Sequence, residues 1–291
     1  MGVIRPVMRY HGGKFRLAPW VIRHFPPHRC YVEPYGGAAG VLVQKDRAYA
    51  EVYNDLDGDV VNLFRVLRSP SDRALLVEQL TLTPYARDEF EAAYEVAEDP
   101  VERARRTLIR AEMGFGSAGA TKGATGFRVD TRRVYGTAQD LWRRLPATLS
   151  AVGERLSGVM IENRPALDVI RQHDGPDVLF YIDPPYIPEA RQPGRFYAHE
   201  MSREDHLALL DLLTGGGARW HGDIERVPKR AVSEPSCQLA DEYDHSPHCR
   251  RSWRCRADGV LVAQPGLRCG AGWWRSLPVG WADRCCIGGQ N

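Results

Sequence analysis

The sequence predicts an α/β fold built around a parallel sheet. Residues 178–182 form an apolar, β-favouring run that is followed at once by an acid and two prolines, as expected for a buried strand that ends where backbone pairing stops. Two shorter segments of the same kind, residues 30–32 and 51–54, each lead into a turn. Helical periodicity over residues 60–67 and 203–213 supplies further layers. In such folds, ligands bind beyond the carboxyl ends of the strands.

The first strand leads into a glycine-rich turn that suits a bound cofactor. Residues 30–32 continue as Glu33-Pro34-Tyr35-Gly36-Gly37. Small residues let a ligand approach the backbone, and a strand-to-helix turn points free amide hydrogens at it. Because the turn departs from the strict G-x-G-x-x-G pattern, an ordinary structural turn explains it equally well.

The second strand ends in acidic residues. Residues 51–54 are followed by Asp55, and an acid at about this distance from a glycine turn can hold ribose hydroxyls. Asp57 precedes an apolar helical stripe, which is typical of a helix N-cap. We therefore expect Asp55 to bind the ribose hydroxyls of a ligand and Asp57 to cap the helix.

A long segment, residues 69–158, separates the glycine turn from the last strand by far more than one βαβ unit needs. It predicts an inserted domain. Residues 83–90 resemble a helix start with acids in the first turn, and residues 101–112 are rich in arginine and alanine, which predicts a second helix. Residues 158–163 then predict a short strand that returns the chain to the sheet.

Residues 114–128 of this insertion form a flexible polar loop with basic and aromatic residues. Lys122 and Arg128 could contact phosphates, and such a loop can present side chains to base edges. A surface loop without a binding role explains the same composition.

The last strand delivers Asp183-Pro184-Pro185-Tyr186, here called the D-P-P-Y loop. An exocyclic amine on a purine ring is a poor nucleophile, and two acceptors, the Asp183 carboxylate and the Pro184 carbonyl, can hydrogen-bond both amine hydrogens. The prolines fix the direction of that carbonyl. Tyr186 offers a face on which a base flipped out of a duplex can stack. The loop therefore favours methyl transfer to a planar amine, the alternative being a proline-rich turn after a core strand.

Together these segments resemble the motifs of Dam-type DNA adenine-N6 methyltransferases, the D12 class. The resemblance is carried, in the family's order, by Tyr10-His11-Gly12-Gly13-Lys14, Glu33-Pro34-Tyr35-Gly36-Gly37, Tyr53-Asn54-Asp55 and Asp183-Pro184-Pro185-Tyr186. It covers roughly the first 213 residues, and the motifs are specific as a set rather than singly. Family members commonly have Trp at the position of Tyr10 and Phe at that of Tyr35, so an aromatic face is kept at both.

The resemblance implies a Rossmann-like S-adenosylmethionine-dependent methyltransferase sheet with an inserted, mainly helical DNA-recognition domain. The implied parts are a cofactor-binding part (1–68), the insertion (69–158) and a catalytic part (159–213). Residues 214–291, which the resemblance does not cover, are expected to form an aberrant, poorly ordered tail, for the reasons given below. The catalytic residues it implies are Asp183, Pro184, Pro185 and Tyr186. The cofactor-binding residues are Tyr10, Lys14, Glu33, Pro34, Tyr35, Gly36, Gly37, Asp55 and Asp183. The residues expected to bind double-stranded DNA are Arg9, Lys122 and Arg128.

Composition adds little. A chain of 291 residues with 43% hydrophobic content can build one catalytic core and a smaller insertion, and a formal net charge of +2 means that DNA binding rests on a local basic patch. No apolar stretch suits a membrane span and no signal peptide is visible, so we expect a cytoplasmic enzyme without membrane contact. The late cysteines fit no usual zinc spacing, so we expect no metal.

The sequence after residue 213 has no clear periodicity, and six cysteines lie in it. Reading permitted codons one base later gives DGMVISSGYPSELYRNLRANW for residues 219–240 and VLTESWLLNPACAAALD for residues 256–272. Both stretches resemble the end of the family's fold, which this chain otherwise lacks. We interpret the tail as frameshifted. We therefore expect residues 214–291 to be weakly structured, the outer edge of the last strand to be uncovered, and the activity of this chain to be low.

Two other functions stay open at this point. Methyl transfer to another amine, in RNA, protein or cytosine, fits the D-P-P-Y loop, but such enzymes usually place that loop closer to the glycine turn. A remnant that binds cofactor or DNA without turnover is the second alternative. The recognition sequence, the oligomeric state and the presence of a cognate restriction enzyme are not fixed by these motifs.

Overall fold

The computed structural model describes residues 3, 5–117, 119–120, 125–129, 136–186 and 197–214, and the backbone of residues 251–255 and 260–265. The strands are β1 (Cys30–Glu33), β2 (Ala50–Asn54), β3 (Met160–Glu162), β4 (Val178–Ile182), β5 (Arg251–Cys255) and β6 (Val260–Pro265). The helices are α1 (Ala18–Ile22), α2 (Gly58–Arg68), α3 (Pro70–Leu82), α4 (Arg87–Ala92), α5 (Pro100–Met113), α6 (Ala138–Arg143), α7 (Leu145–Leu156), α8 (Ala166–His173) and α9 (Arg203–Thr214).

The strands form one sheet in the order β3-β2-β1-β4-β6-β5, in which β5 alone is antiparallel to its neighbour. Val32 of β1 is the register partner of both Val52 and Phe180, so β2, β1 and β4 end at the same edge. The chain runs outward from β1 to β3 and then returns to the other side of β1 as β4. The order therefore reverses between β1 and β4, and such a switch point is where open α/β sheets bind ligands. The predicted α/β fold is confirmed.

Side chains alternate across the sheet, which gives the fold two apolar layers. Tyr31 and Leu179 point into a large core on one face, whereas Val32, Phe180 and Ile182 belong to a smaller core on the other. This period of two is what a strand buried on both faces requires. Residues of α8 and α9 cover the smaller core.

The helices of the predicted insertion share the large core with the sheet. Leu108 and Ile109 of α5 and Leu149 and Val152 of α7 belong to the same buried cluster as Tyr53 of β2. Ion pairs add to this contact, since Asp59 at the start of α2 pairs with Arg103 and Arg110 of α5. The described residues of this segment are mostly in helices α3 to α7, and those helices pack directly against the catalytic part and share its core.

Most predicted elements are present. The expected strands correspond to β1, β2, β3 and β4, and α5 spans one residue more at each end than expected. Asp57 caps α2, because its carboxylate accepts from the amides of Asp59 and Val60. The helix expected from Thr83 begins only at Arg87, because the Thr83 hydroxyl donates to the carbonyl of Gln79 and so closes the preceding helix.

The outer edge of β4 is covered, which differs from expectation. The backbone of β6 pairs with β4 in parallel, with Tyr181 opposite Leu261, and β5 pairs with β6. An open strand edge accepts another strand through backbone groups, so this pairing does not depend on the side chains that follow residue 213. The rest of the predicted tail lies outside the described residues. Within the described part of the chain, no helix is long and apolar enough to cross a membrane.

Candidate active site

Three acids meet at the edge where the central strands end. Glu33 ends β1, Asp55 follows β2 directly, and Asp183 follows β4 directly. They line one cavity of about 270 Å³, together with the glycine turn, residues 10–14 and residues 197–201. The sheet reverses its order here, so the position is the one expected for a ligand site.

Lys14 joins the amino-terminal motif to the D-P-P-Y loop. Its ammonium group lies 2.6 Å from Asp183 Oδ2 and donates to the Tyr186 hydroxyl at 2.8 Å. It also donates to the Gly12 carbonyl at 2.8 Å. The side chains of Lys14 and Asp183 are only 6% and 13% exposed, so each charge neutralises the other where water is scarce. The sequence predicted Lys14 as a cofactor contact, and its link to the D-P-P-Y loop was not foreseen.

The glycine turn lies tightly against aromatic rings. A Cβ atom on Gly36 would lie 2.2 Å from the ring of Tyr53, and one on Gly37 would lie 2.8 Å from the ring of Tyr10. Gly37 also has a φ of 48°, a conformation that favours glycine. The Tyr53 hydroxyl donates to the Gly37 carbonyl at 2.6 Å. Glycine is therefore required here for close packing, and the turn keeps an open cavity beside its backbone.

Asp55 ties the glycine turn to the end of β2. Its Oδ2 accepts from the amide of Gly37 and its Oδ1 from the amide of Asp57, both at 2.8 Å. Burial raises the pKa of Asp55 to about 6, and these two amide donors oppose that shift. Each carboxylate oxygen can accept a second hydrogen bond, so these contacts leave acceptor capacity for ligand hydroxyls.

Glu33 is 1% exposed and holds the start of the segment after the turn. Its Oε1 accepts from the Tyr31 hydroxyl at 2.7 Å and from the amide of Leu42 at 2.8 Å. Burial raises the pKa of Glu33 to about 7, and the two donors oppose this. Because both donors use Oε1, no described protein group hydrogen-bonds to Oε2 of this cavity-lining residue.

Asn54, at the end of β2, connects the turn after β1 to the loop after β3. The sequence did not reveal this role. It is fully buried, and its amide nitrogen donates to the carbonyls of Pro34 and Arg164 at 2.8 and 3.0 Å. Its side-chain oxygen accepts from the amide of Arg164 at 3.0 Å. The turn after β1 and the loop after β3 are therefore fixed to the end of β2. An isolated asparagine gives no such signal in a sequence, because its partners are distant along the chain.

Aromatic residues close the cavity. Tyr10 packs on Gly37, and burial, followed by the nearby Asp55 carboxylate, raises its pKa well above the ordinary value. Burial also raises the pKa of Tyr35, which lines the cavity as predicted. Tyr197, which the sequence did not single out, packs edge-on against His11 with ring centroids 5.4 Å apart. Its amide donates to the Glu200 carboxylate at 3.1 Å, which fixes this wall.

Two of the three expected DNA contacts, Arg9 and Arg128, lie at the base of the loop after α5. The Arg9 guanidinium donates to the carbonyl of Gly114 at 3.1 Å and its amide to Glu112 at 2.8 Å. Arg128 is 4% exposed, and its backbone pairs with Met113 at 2.7 Å, so this conformation holds Arg128 inside the base of the loop. Lys122 lies outside the described residues. DNA binding by these three residues stays a prediction, and the burial of Arg128 does not favour a direct phosphate contact.

No group of three or more potential metal ligands occurs among the residues whose side chains the structure describes.

The reversed sheet and its three acids define a Rossmann-like α/β enzyme site. Residues 10–214 match the family described as D12 class N6 adenine-specific DNA methyltransferase, and the chain belongs to this family. It is therefore a transferase that methylates N6 of adenine in DNA. The match ends one residue beyond the point at which the sequence loses its periodicity.

Known relatives carry the same activity in their names. The chain is 22% identical over 221 residues to "DNA adenine methylase" of Escherichia coli (strain K12), covering 72% of this chain and 76% of the relative. It is 24% identical over 219 residues to the "DNA adenine methylase" of Salmonella typhi, covering 71% and 75%. It is 25% identical over 223 residues to the "DNA N-6-adenine-methyltransferase" of Escherichia phage P1, covering 74% of this chain and 28% of that protein.

Proposed function

We propose that the methyl donor is S-adenosylmethionine and that transfer takes place in the cavity between the glycine turn and the D-P-P-Y loop. The observation that carries this proposal is the contact of Lys14 with Asp183 and Tyr186, since Lys14 and Asp183 line the same cavity as Gly36 and Gly37. It brings the amine-binding loop and the close-packed turn into one cavity. When bound, the cofactor supplies an electrophilic methyl group on a sulfonium centre.

The residues around the turn fit such a cofactor. Asp55 has acceptor capacity beyond its two amide donors, which suits ribose hydroxyls. Glu33 Oε2 has no described protein donor and lines the cavity, which suits a cationic or hydroxyl group of the ligand. Tyr10, Tyr35 and Pro34 supply apolar surface for the remainder. Gly36 and Gly37 pack against the rings of Tyr53 and Tyr10 and also line the cavity, so their backbone is available to a ligand there.

The D-P-P-Y loop would hold the target base. Asp183 and the Pro184 carbonyl accept the two hydrogens of the adenine amine, which concentrates the nitrogen lone pair toward the methyl donor. Tyr186 offers its ring for stacking, and Lys14 holds the phenol end of that ring at 2.8 Å. When the nitrogen takes the methyl group, the bond between that carbon and the sulfonium sulfur would break, and the electron pair would stay on sulfur. The Asp183 carboxylate would stabilise the positive charge on nitrogen until one amine proton is released.

Double-stranded DNA is the partner that we propose for the helical segment of residues 69–158, with Arg9, Lys122 and Arg128 near the loop that follows α5. The base of this loop is ordered, since the amide of Phe115 donates to Gly126 at 2.7 Å. Phe115 itself is 72% exposed, as a residue that contacts a ligand outside the protein would be. A cognate restriction enzyme is an expectation from the resemblance alone, and no described contact bears on it.

We also propose that the gene is frameshifted after about residue 213 and that this lowers the activity of the chain. The experiment is tritium transfer from labelled S-adenosylmethionine to adenine in duplex DNA, for this chain and for a frame-restored chain in which the tail is translated one base later. We expect label on adenine with the restored chain at a higher rate. Cofactor binding without labelling of any duplex by either chain would instead support the binding-only remnant. Sequencing the gene around codons 205–225 tests the frameshift separately.

A further inference from the structure

The D-P-P-Y loop has a second support, which comes from α9. The Nε2 atom of His206 lies 2.9 Å from the carbonyl oxygen of Pro185. A carbonyl can only accept, so Nε2 carries the hydrogen and donates it. His206 is 4% exposed, so water does not compete strongly for this bond.

The position of His206 is fixed by the start of α9. Ser202 precedes the helix, its hydroxyl accepts from the amide of Asp205 at 3.2 Å, and its own amide donates to the Asp205 carboxylate at 2.8 Å. This reciprocal pair is a capping box, which stabilises the first turn. Leu209 and Leu212 then pack in the core that β4 also enters. The imidazole is therefore carried by a capped turn on the same core as the strand that ends at Asp183.

The bond acts on the backbone torsion that the prolines leave free. Proline fixes φ at positions 184 and 185, but the ψ angle of Pro185 still rotates the peptide that leads into Tyr186. A donor on the Pro185 carbonyl holds that peptide plane. The other end of Tyr186 is held by Lys14 at its hydroxyl. The ring on which the base would stack is thus fixed at both ends.

We propose that His206 is a positioning residue for methyl transfer: by donating to the Pro185 carbonyl it sets the direction of Tyr186 and so the placement of the adenine. The role rests on the function proposed above for the D-P-P-Y loop. His206 touches neither the target amine nor the cofactor in this role, so its loss acts through the base and leaves cofactor binding intact.

The test compares His206→Leu, which removes the donor, with His206→Gln, whose amide nitrogen can donate from nearly the same place. In the full chain we expect His206→Leu to lower kcat for methyl transfer by about 10- to 100-fold, because small displacements of reacting groups have effects of that size. The Kd for S-adenosylmethionine should change less than about twofold, and His206→Gln should recover most of the rate. Leu207→Gln, an exposed change on the same helix, is the matched control.

Three results would overturn the proposal: a parental rate in His206→Leu, a His206→Gln variant as slow as His206→Leu, or equal loss of cofactor affinity and rate. Absence of methyl transfer from both this chain and the frame-restored chain would contradict the proposed function instead. Hydrogen exchange then still tests His206, because Asp183 and Tyr186 carry the only amides of the loop. We expect faster exchange there in His206→Leu than in the parent and His206→Gln, and equal exchange in all three would overturn the positioning role.

Discussion

In the half of the cavity formed by the glycine turn, most contacts of Glu33 and Asp55 run to the backbone. Asp55 accepts from the Gly37 amide, Tyr53 donates to the Gly37 carbonyl, and Glu33 accepts from the Leu42 amide. In the half formed by the D-P-P-Y loop, the closest contacts join side chains, because Lys14 reaches Asp183 and Tyr186. The first arrangement is set when the chain folds. The second can exchange partners by rotating side chains, which a site that must admit a base requires. We therefore expect changes in the first half to affect stability and changes in the second to affect turnover.

The largest effect is expected for Asp183→Asn. An amide of the same shape replaces one acceptor for the target amine by a donor, so the rate of methyl transfer should fall about 10²- to 10³-fold. The rate is measured as tritium incorporation into DNA. The substitution is made in this chain or, if only the frame-restored chain is active, in that chain. Asp59→Asn is the control, since Asp59 also pairs with arginines but lies in the helical layer. Full activity in Asp183→Asn would show that Asp183 is not needed as an acceptor for the target amine.

The next effect concerns stability. Gly36→Ala places a methyl group 2.2 Å from the ring of Tyr53 and 3.0 Å from the carbonyl of Asn54, and neither the buried ring nor the backbone can move far. We expect the free energy of unfolding to fall by about 3 kcal/mol. Urea denaturation measures this. Gly126→Ala is the matched control, because no atom of the described residues lies within 4 Å of an added Cβ there. Equal midpoints for the two variants would show that the turn is not closely packed.

Much of this site was predictable, because its motifs follow directly from strands that the sequence reveals. The apolar run before Asp183 and the acid after β2 predicted side chains at one sheet edge, and the stripe after Asp57 predicted the cap that the structure contains. These inferences use neighbouring residues only. Local periodicity and turn chemistry are sufficient for them.

The remaining contacts depend on how distant segments pack. Lys14 and Tyr186 are 172 positions apart, and Asn54 and Arg164 are 110 apart, so no local pattern indicates either pair. For Arg128, a local pattern was present but did not indicate burial. A basic residue in a polar loop suggested an exposed phosphate contact, and the folded loop buries it. The cover on β4 was missed for a third reason. Backbone groups pair a strand edge regardless of the side chains that a sequence pattern reports.

A smaller effect is a dependence of stability on pH. It also arises in the half of the cavity formed by the glycine turn. Burial raises the pKa of Glu33 from 4.5 to about 7, so between these values the folded state holds more protons than the unfolded state. Stability therefore falls as pH rises through this window and levels off above it, by at most about 3 kcal/mol in all. Asp55 adds a change of the same sign between 3.8 and about 6.

The substitution Glu33→Gln distinguishes the contribution of Glu33 to this pH dependence from that of Asp55. Glutamine keeps an oxygen that can accept from Tyr31 and Leu42, so the fold should persist. The decline between pH 6 and pH 7 should become shallower, because burial raises the pKa of Glu33 to about 7 and that of Asp55 only to about 6. The measurement is urea denaturation at about pH 5, 6 and 7.5. A decline as steep as that of the parent between pH 6 and 7 would assign the effect to another group.

The smallest effect is expected on the surface of α5, away from the cavity. Arg105 of α5 lies 2.6 Å from Glu102 and 2.9 Å from Glu89, whose side chains are 26% and 33% exposed. Ion pairs so close to solvent contribute little, so Arg105→Gln should lower the free energy of unfolding by less than about 1 kcal/mol. Because the charge is already paired with acids, DNA affinity and its salt dependence should also stay near the parental values, measured by filter binding at several salt concentrations. A loss of stability as large as that of Gly36→Ala would mean that α5 is held by its charges rather than by Leu108 and Ile109 in the shared core, and the stability-determining region would then extend well beyond the glycine turn.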